Sequence, residues 1–279
     1  MKVLVIQENT KLKANEKFQA CFSIQRAFQK LGHECKVWGL GHEGFHQETF
    51  KGYDLILDIE NYSRKWIPDL SQNRTFKILW AVDAQLQGEN FYDDIFYRGQ
   101  YNLLMHSTRE YTLTKDRRYW FPNAFDEELV GTRPEISKKA DIGFCGNVNN
   151  RQEYLDLLDE NFRFKKDISV VDEKMVEAIN SYHIHFNKNI TNDINTRNFE
   201  TIACGTLLLT DYKPDYDLLG FEDGTTCLFY YDDDSLIGRV RELLLHPNRI
   251  KEIAANGHEL AKEHTYTQRI KHLLESINR

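Results

Sequence analysis

The 279-residue chain has no glycine in the stretch VIQENTKLKA that follows its first apolar run. A dinucleotide fingerprint needs G-x-G-x-x-G there, so hydride transfer with a nicotinamide is disfavoured. The P-loop signature G-x-x-x-x-G-K-[ST] is absent, and so is G-x-S-x-G, which argues against an α/β-hydrolase. Five cysteines, Cys21, Cys35, Cys145, Cys204 and Cys227, are scattered without a C-x-x-C pair. Neither a zinc ribbon nor a redox dithiol fits them, and buried free thiols are expected. No run approaches the ~18–20 apolar residues of a membrane span, and MKVLVIQEN is too short for a signal-peptide core, so a cytoplasmic location is expected. A formal net charge of −7 denies the chain the global basic footprint of a nucleic-acid binder.

What is present is a β/α alternation. KVLVI, ECKVWGL, YDLILDIE, FKILWAVD and YNLLMHST are apolar runs that read as parallel strands covered on both faces. In NEKFQACFSIQRAFQKLG the apolar residues recur at helical spacing, and Gly32 stands where a C-terminal cap would. RYWFPNAFD closes the series as an extended segment. The charged stretch GTRPEISKKA then separates a second series: strand DIGFCGN, helix NRQEYLDLLDEN, weaker strand FRFKKDISVV, helix DEKMVEAINSY and strand HIHFN. A helix from Thr196, the strands GTLLLTD and TTCLFYY, and a helical C-terminal stretch complete it. The expected organisation is an N-terminal domain over 1–130, a second domain over 131–264 and a C-terminal helix over 265–279.

Several short motifs have inexpensive structural readings. HEGFH (42–46) matches H-E-x-x-H, but it contains Gly44, sits in a short connection and has no third ligand following, so zinc is not expected. His183 and His185 share one face of a strand, where packed histidines are commoner than metal ligands. Asp232, Asp233 and Asp234 precede an apolar helix and read as N-capping and dipole compensation.

The segment NDINTRNFETIACGTLLLTD (192–211) carries the chemistry. A helix start offers unpaired N–H groups and a positive dipole end, a ready phosphate site. Arg197 can donate charge-assisted hydrogen bonds to a diphosphate, and Glu200 can accept two from vicinal ribose hydroxyls. An ordinary capped helix with both side chains solvated is an equal alternative on physics alone.

NTRNFETIACGTLLLTD resembles the glutamate-bearing element of GT-B glycosyltransferases, in the branch that includes the CgeB-like proteins. The similarity runs through roughly 141–274, including DIGFCGN with Arg151, GFEDGTTCLFYYDDDSLIG and HTYTQR. Retaining members often carry two glutamates with seven residues between them; counting back from Glu200 reaches Asn192, so the first acid is absent. The resemblance implies an α/β fold of the GT-B type: two Rossmann-like domains facing each other across a cleft, with a C-terminal helix returning to the first. It implies transfer of a sugar from a nucleoside diphosphate-sugar, UDP most of all, to an acceptor hydroxyl, retaining and without metal or other cofactor.

Under that resemblance Gly146 and Asn147 lie near the diphosphate or sugar, and Arg151, Lys188, Asn195, Thr196 and Arg197 hold the diphosphate. Glu200 holds the ribose. Asp83 and His106, after strands of the first domain, are candidates to orient or deprotonate the acceptor, or are caps. The acceptor is open: a glycan, a small molecule, a protein or modified DNA. Three alternatives stand beside this reading: a non-catalytic nucleotide-binding module, an epimerase-type enzyme, and a transferase on modified DNA bases using a local basic cleft around TKDRRYW.

Overall fold

The computed structural model describes residues 1–9, 13–61 and 63–277. It divides into two compact units, residues 1–123 with 266–279, and residues 124–265. In the first, Val3, Leu4, Val5 and Ile6 of β1 (Lys2–Ile6) are wholly buried, as a central strand requires. Helix α1 (Ala20–Lys30) buries Cys21, Ile24, Ala27 and Phe28 and ends before Gly32, whose φ of +81° suits a residue without Cβ. Strands β2 (Glu34–Trp38), β3 (Leu55–Ile59), β4 (Phe76–Ala81), β5 (Leu103–His106) and β6 (Arg118–Trp120) join β1 in one parallel sheet, ordered β2-β1-β3-β4-β5-β6. Between β4 and β5 lie α2 (Ala84–Gln87) and α3 (Glu89–Arg98). Sequence reading assigned no helix there, although Tyr92 and Phe96, one turn apart, are buried in the core that α3 covers.

The second unit is built from β7 (Ala140–Gly146), α4 (Gln152–Asn161), β8 (Phe164–Ile168), α5 (Asp172–Asn180), β9 (Tyr182–Phe186) and α6 (Thr196–Ala203). Then come β10 (Leu207–Asp211), α7 (Asp215–Leu218), β11 (Leu228–Tyr230), α8 (Asp233–Leu244) and α9 (Pro247–Ala261). Its parallel sheet runs β11-β10-β9-β7-β8. Leu207, Leu208 and Leu209 are fully buried, each contributing about 1.5–3 kcal/mol of transfer free energy. Gly143 of β7 has no room for a side chain, because a Cβ would stand 2.2 Å from the Tyr182 ring. Asp232 caps α8 in a reciprocal pair with Ser235, so the acidic run is indeed a helix start.

Helix α10 (Tyr266–Ile277) belongs to the first unit, where it packs on α1 and brings Tyr266 against Trp80. The chain enters the second unit at Ala124, ahead of the charged stretch that sequence reading took as the boundary. That stretch is part of the second unit for a physical reason. Arg133 N–H donates to Asn180 Oδ1 at 2.7 Å and Lys139 N–H to the Ser181 carbonyl at 2.7 Å. Entry and exit lie side by side, with Phe125 N–H donating to the His264 carbonyl at 3.2 Å and Phe125 bridged to Thr265. Among the described residues no helix is long and apolar enough to cross a membrane.

Candidate functional site

The strand order of the second unit reverses between β7 and β9, and doubly wound sheets place ligands outside the carboxyl ends at that point. Gly146 and Asn147 stand at the end of β7, Lys188 and Asn189 just past β9. Arg151 spans the crevice: Nη1 donates to the Asn147 carbonyl at 3.1 Å, and Nε and Nη2 to the Lys188 carbonyl at 2.9 and 2.6 Å. Its side chain is buried, burial lowers its pKa, and Asp193 and Asp211 nearby act in the opposite direction. No carboxylate forms an ion pair with it among the described residues. Lys188 lays its Nζ 4.6 Å from the centre of the Tyr154 ring. A Cβ on Gly146 would meet only the Phe144 ring, at 3.4 Å, so the space above this position is open.

Helix α6 begins at the same crevice. Asn195 is its N-cap, and its side chain accepts from the Arg197 N–H at 3.1 Å. The Asn198 N–H goes to the Asn195 carbonyl at 3.1 Å, and the Asn195 N–H to Asn189 Oδ1 at 3.3 Å. Among the described residues the N–H of Thr196 is therefore the one donor of this helix start left without an internal partner. The Thr196 hydroxyl is open as well. A helix start with an unpaired N–H and hydroxyl on its first residue is the kind of place a phosphate oxygen can bond to. Arg197 and Glu200 form an ion pair, Nη1 to Oε2 at 2.6 Å, with side chains 21% and 13% exposed.

A buried polar network that sequence reading missed holds this helix start. Asn189 Oδ1 accepts from Asn195 Nδ2 at 3.2 Å and from Asn198 Nδ2 at 2.9 Å, while Asn189 Nδ2 donates to Asp211 Oδ1 at 3.1 Å and Tyr216 Oη at 3.0 Å. Asn198 Oδ1 accepts from Asn187 Nδ2 at 2.9 Å and from the Tyr216 hydroxyl at 2.8 Å. Such a network, satisfied throughout, gives one helix position rather than several. The signal was the density of asparagine in FNKNITNDINTRNF. His185 adds a tether from below: its Nε2 accepts from the Cys145 N–H at 3.2 Å, so Nδ1 carries the proton and donates to Thr201 Oγ1 at 2.6 Å. Thr201 in turn donates to the Arg197 carbonyl at 2.6 Å. Wholly buried, with its pKa pushed well below the usual value by desolvation, His185 is a neutral strut.

In the first unit Asp83 follows β4 at its carboxyl end, half-buried, with its N–H donating to Glu60 Oε2 at 2.6 Å and its Oδ1 accepting from Gln85 at 3.2 Å. Glu60 follows β3, was not singled out in the sequence, and lies beside Asp83 through that bond. His106 departs from expectation. It ends β5 with its ring fully buried, and neither nitrogen has a hydrogen-bond partner among the described residues, so it does not present a base to a hydroxyl. Ser107 and Thr108, which sequence reading took as the end of the strand, lie past it and are buried with it. In HEGFH, only Phe45–Gln47 form a single helical turn and His42 Nε2 bonds to the Gln7 carbonyl at 3.0 Å. The two histidines do not share a helix face, and no metal-ligand group of three exists among the described residues.

Burial, aided by Arg118, lowers the pKa of His106 to about 4. Because the folded value lies below the unfolded one, near 6.5, the neutral ring's full stability is present above pH 6.5 and drains away as pH falls toward 4. The expected loss is about 3 kcal/mol by pH 4. All four tryptophans, Trp38, Trp66, Trp80 and Trp120, lie in the first unit, so urea unfolding followed by their fluorescence reads this directly. His106→Gln should lose that much less than wild type between pH 7 and pH 4.

Two parallel Rossmann-like sheets of this kind are the fold of the GT-B glycosyltransferases. The chain belongs to the glycosyl transferase-like family, whose profile matches residues 129–275. The fold matches Anabaena HepE in complex with UDP and glucose at 12% identity and a TM-score of 0.65, over 99% of this chain and 100% of that one. It matches an alpha-glucosyltransferase in complex with UDP and a 13-mer DNA at 10% identity and a TM-score of 0.74, over 100% and 99%. Sucrose-phosphate synthase from Thermosynechococcus elongatus matches at 12% identity and 0.65, over 99% of each chain. No curated protein matches the sequence.

Proposed function

We propose that this glycosyltransferase moves a sugar from a nucleoside diphosphate-sugar, UDP-linked, to an acceptor hydroxyl, with the donor diphosphate seated at the start of α6. The observation that carries the reading is the pairing of the open Thr196 N–H and hydroxyl with Arg197 at the switch point of the second unit. Arg151 and Lys188, neither in an ion pair among the described residues, add positive charge beside the leaving diphosphate, and Glu200 takes the ribose hydroxyls. Gly146 leaves space above Asn147 for the sugar. These side chains supply the neutralising charge that a metal supplies elsewhere, so the reaction is proposed as metal-independent. It is proposed as retaining, the leaving phosphate itself accepting the acceptor's proton, on the likeness of the Glu200 segment to the glutamate-bearing element of GT-B glycosyltransferases. UDP stands in the names of the matching HepE and alpha-glucosyltransferase structures, and the segment NTRNFETIACGTLLLTD supports a place near the CgeB-like branch.

The carboxyl ends of the first unit's strands favour an uncharged, hydroxyl-bearing acceptor over nucleic acid. Glu8 follows β1, Glu60 follows β3 and Asp83 follows β4, and a phosphate backbone would meet all three carboxylates. A thermal-shift panel of nucleoside diphosphates and their sugars, each run with EDTA, tests the donor reading. One ribonucleotide should raise the melting temperature selectively and indifferently to chelator. A panel without any shift would overturn the assignment.

A further inference from the structure

The Arg197–Glu200 pair has a feature that donor binding alone does not explain. Arg197 stands at the second position of α6, where the helix dipole is positive and a cation is disfavoured. Its compensation comes from Glu200, three residues on, and each is the other's sole side-chain partner among the described residues. At 21% and 13% exposure the two side chains are largely withdrawn from water, so separating them leaves both poorly solvated unless a ligand replaces each partner. Inorganic phosphate or pyrophosphate can satisfy Arg197 but strands Glu200. A nucleoside satisfies Glu200 through its diol but strands Arg197. A ribonucleoside diphosphate carries both groups on one frame.

We infer that this ion pair is a specificity latch, in which Glu200 holds Arg197 closed against inorganic phosphates and releases it to ligands that present a diphosphate and a vicinal diol together. The inference rests on the donor site proposed above. It assigns Glu200 a second task besides contacting ribose: keeping abundant small anions out of a cationic crevice.

The test is calorimetric titration of the full chain with inorganic pyrophosphate, with the tightest-binding nucleoside diphosphate of the panel, and with its 2′-deoxy form. Wild type is compared with Glu200→Gln, which keeps the shape and removes the charge, and with Glu200→Ala in case the first variant misfolds. Releasing a charge-assisted hydrogen bond should tighten pyrophosphate binding by about 10-fold while nucleoside diphosphate binding weakens by about 10-fold. In wild type the 2′-deoxy form should bind about 10-fold more weakly than the ribonucleotide, and in the variants the two should converge. Nucleotide binding to wild type with pyrophosphate affinity unchanged in both variants would overturn the latch and leave the donor site standing. No nucleotide binding to wild type would overturn both.

Discussion

With the donor site proposed at α6, Arg197→Ala should lower kcat/KM for sugar transfer by about 100- to 1000-fold, the size of effect seen when one preorganised donor to a developing negative charge is removed. The loss falls mainly on kcat, because charge on the leaving diphosphate grows toward the transition state and the guanidinium is worth most there. Stability falls as well, because Glu200, 13% exposed, is left without its counter-ion; a charge stripped of its hydrogen-bond partner costs about 1–3 kcal/mol, which a melting curve registers as a shift of about 2–12 °C. Thr201 bonds to the Arg197 backbone carbonyl rather than to its side chain, so the first turn of α6 stays in place. Arg197→Lys separates charge from geometry: it should recover part of the rate, since a point charge remains but the planar fork does not. Initial rates with saturating and limiting donor, measured beside a melting curve, decide the matter. A variant that turns over at wild-type rate would remove Arg197 from the site.

Asp58→Ala, in contrast, costs about 3–5 kcal/mol of stability, because it leaves a partly buried cation without its counter-ion. Asp58 is fully buried on β3, where its carboxylate accepts from the Arg64 guanidinium and the Tyr101 hydroxyl, and from Asn61 Nδ2 at 3.1 Å. Asp58 raises the pKa of Arg64 against the opposing effect of burial. Replacing both partners with apolar residues of similar size, Asp58→Leu with Arg64→Met, should recover most of the loss, since neither desolvated charge then remains. Urea unfolding followed by tryptophan fluorescence reports this unit alone. A single substitution costing less than ~1 kcal/mol would mean that the pair is hydrated in solution.

Most of the β/α alternation was legible because parallel strands covered on both faces are written as unbroken apolar runs. β1 and β10 are examples, with KVLVI and TLLLTD buried almost throughout. α3 escaped because its two buried aromatics, Tyr92 and Phe96, are separated by the charged Asp93 and Asp94, which reads as loop. The N-cap at Asn195 was legible from local chemistry alone. Its support was not: Asn189, Asp211 and Tyr216 meet Asn195 and Asn198 only because β9 and β10 are neighbours in the sheet, and strand order is not a local property. For the same reason Arg151 reads as a diphosphate ligand in sequence, yet in three dimensions it first fastens two loops together. His106 misled because a polar residue ending an apolar run looks like the rim of a site. In the fold Ser107 and Thr108 after it are buried too, so His106 lies inside and not at a rim.

The adjacent entry and exit of the second unit, bridged at Phe125 and Thr265, have a consequence for how the protein is made. During synthesis α10 emerges only after the whole second unit, and until then the flank of α1 that it covers has no partner. The half that starts first on the ribosome is therefore finished last, and the inserted half folds while its host is still open.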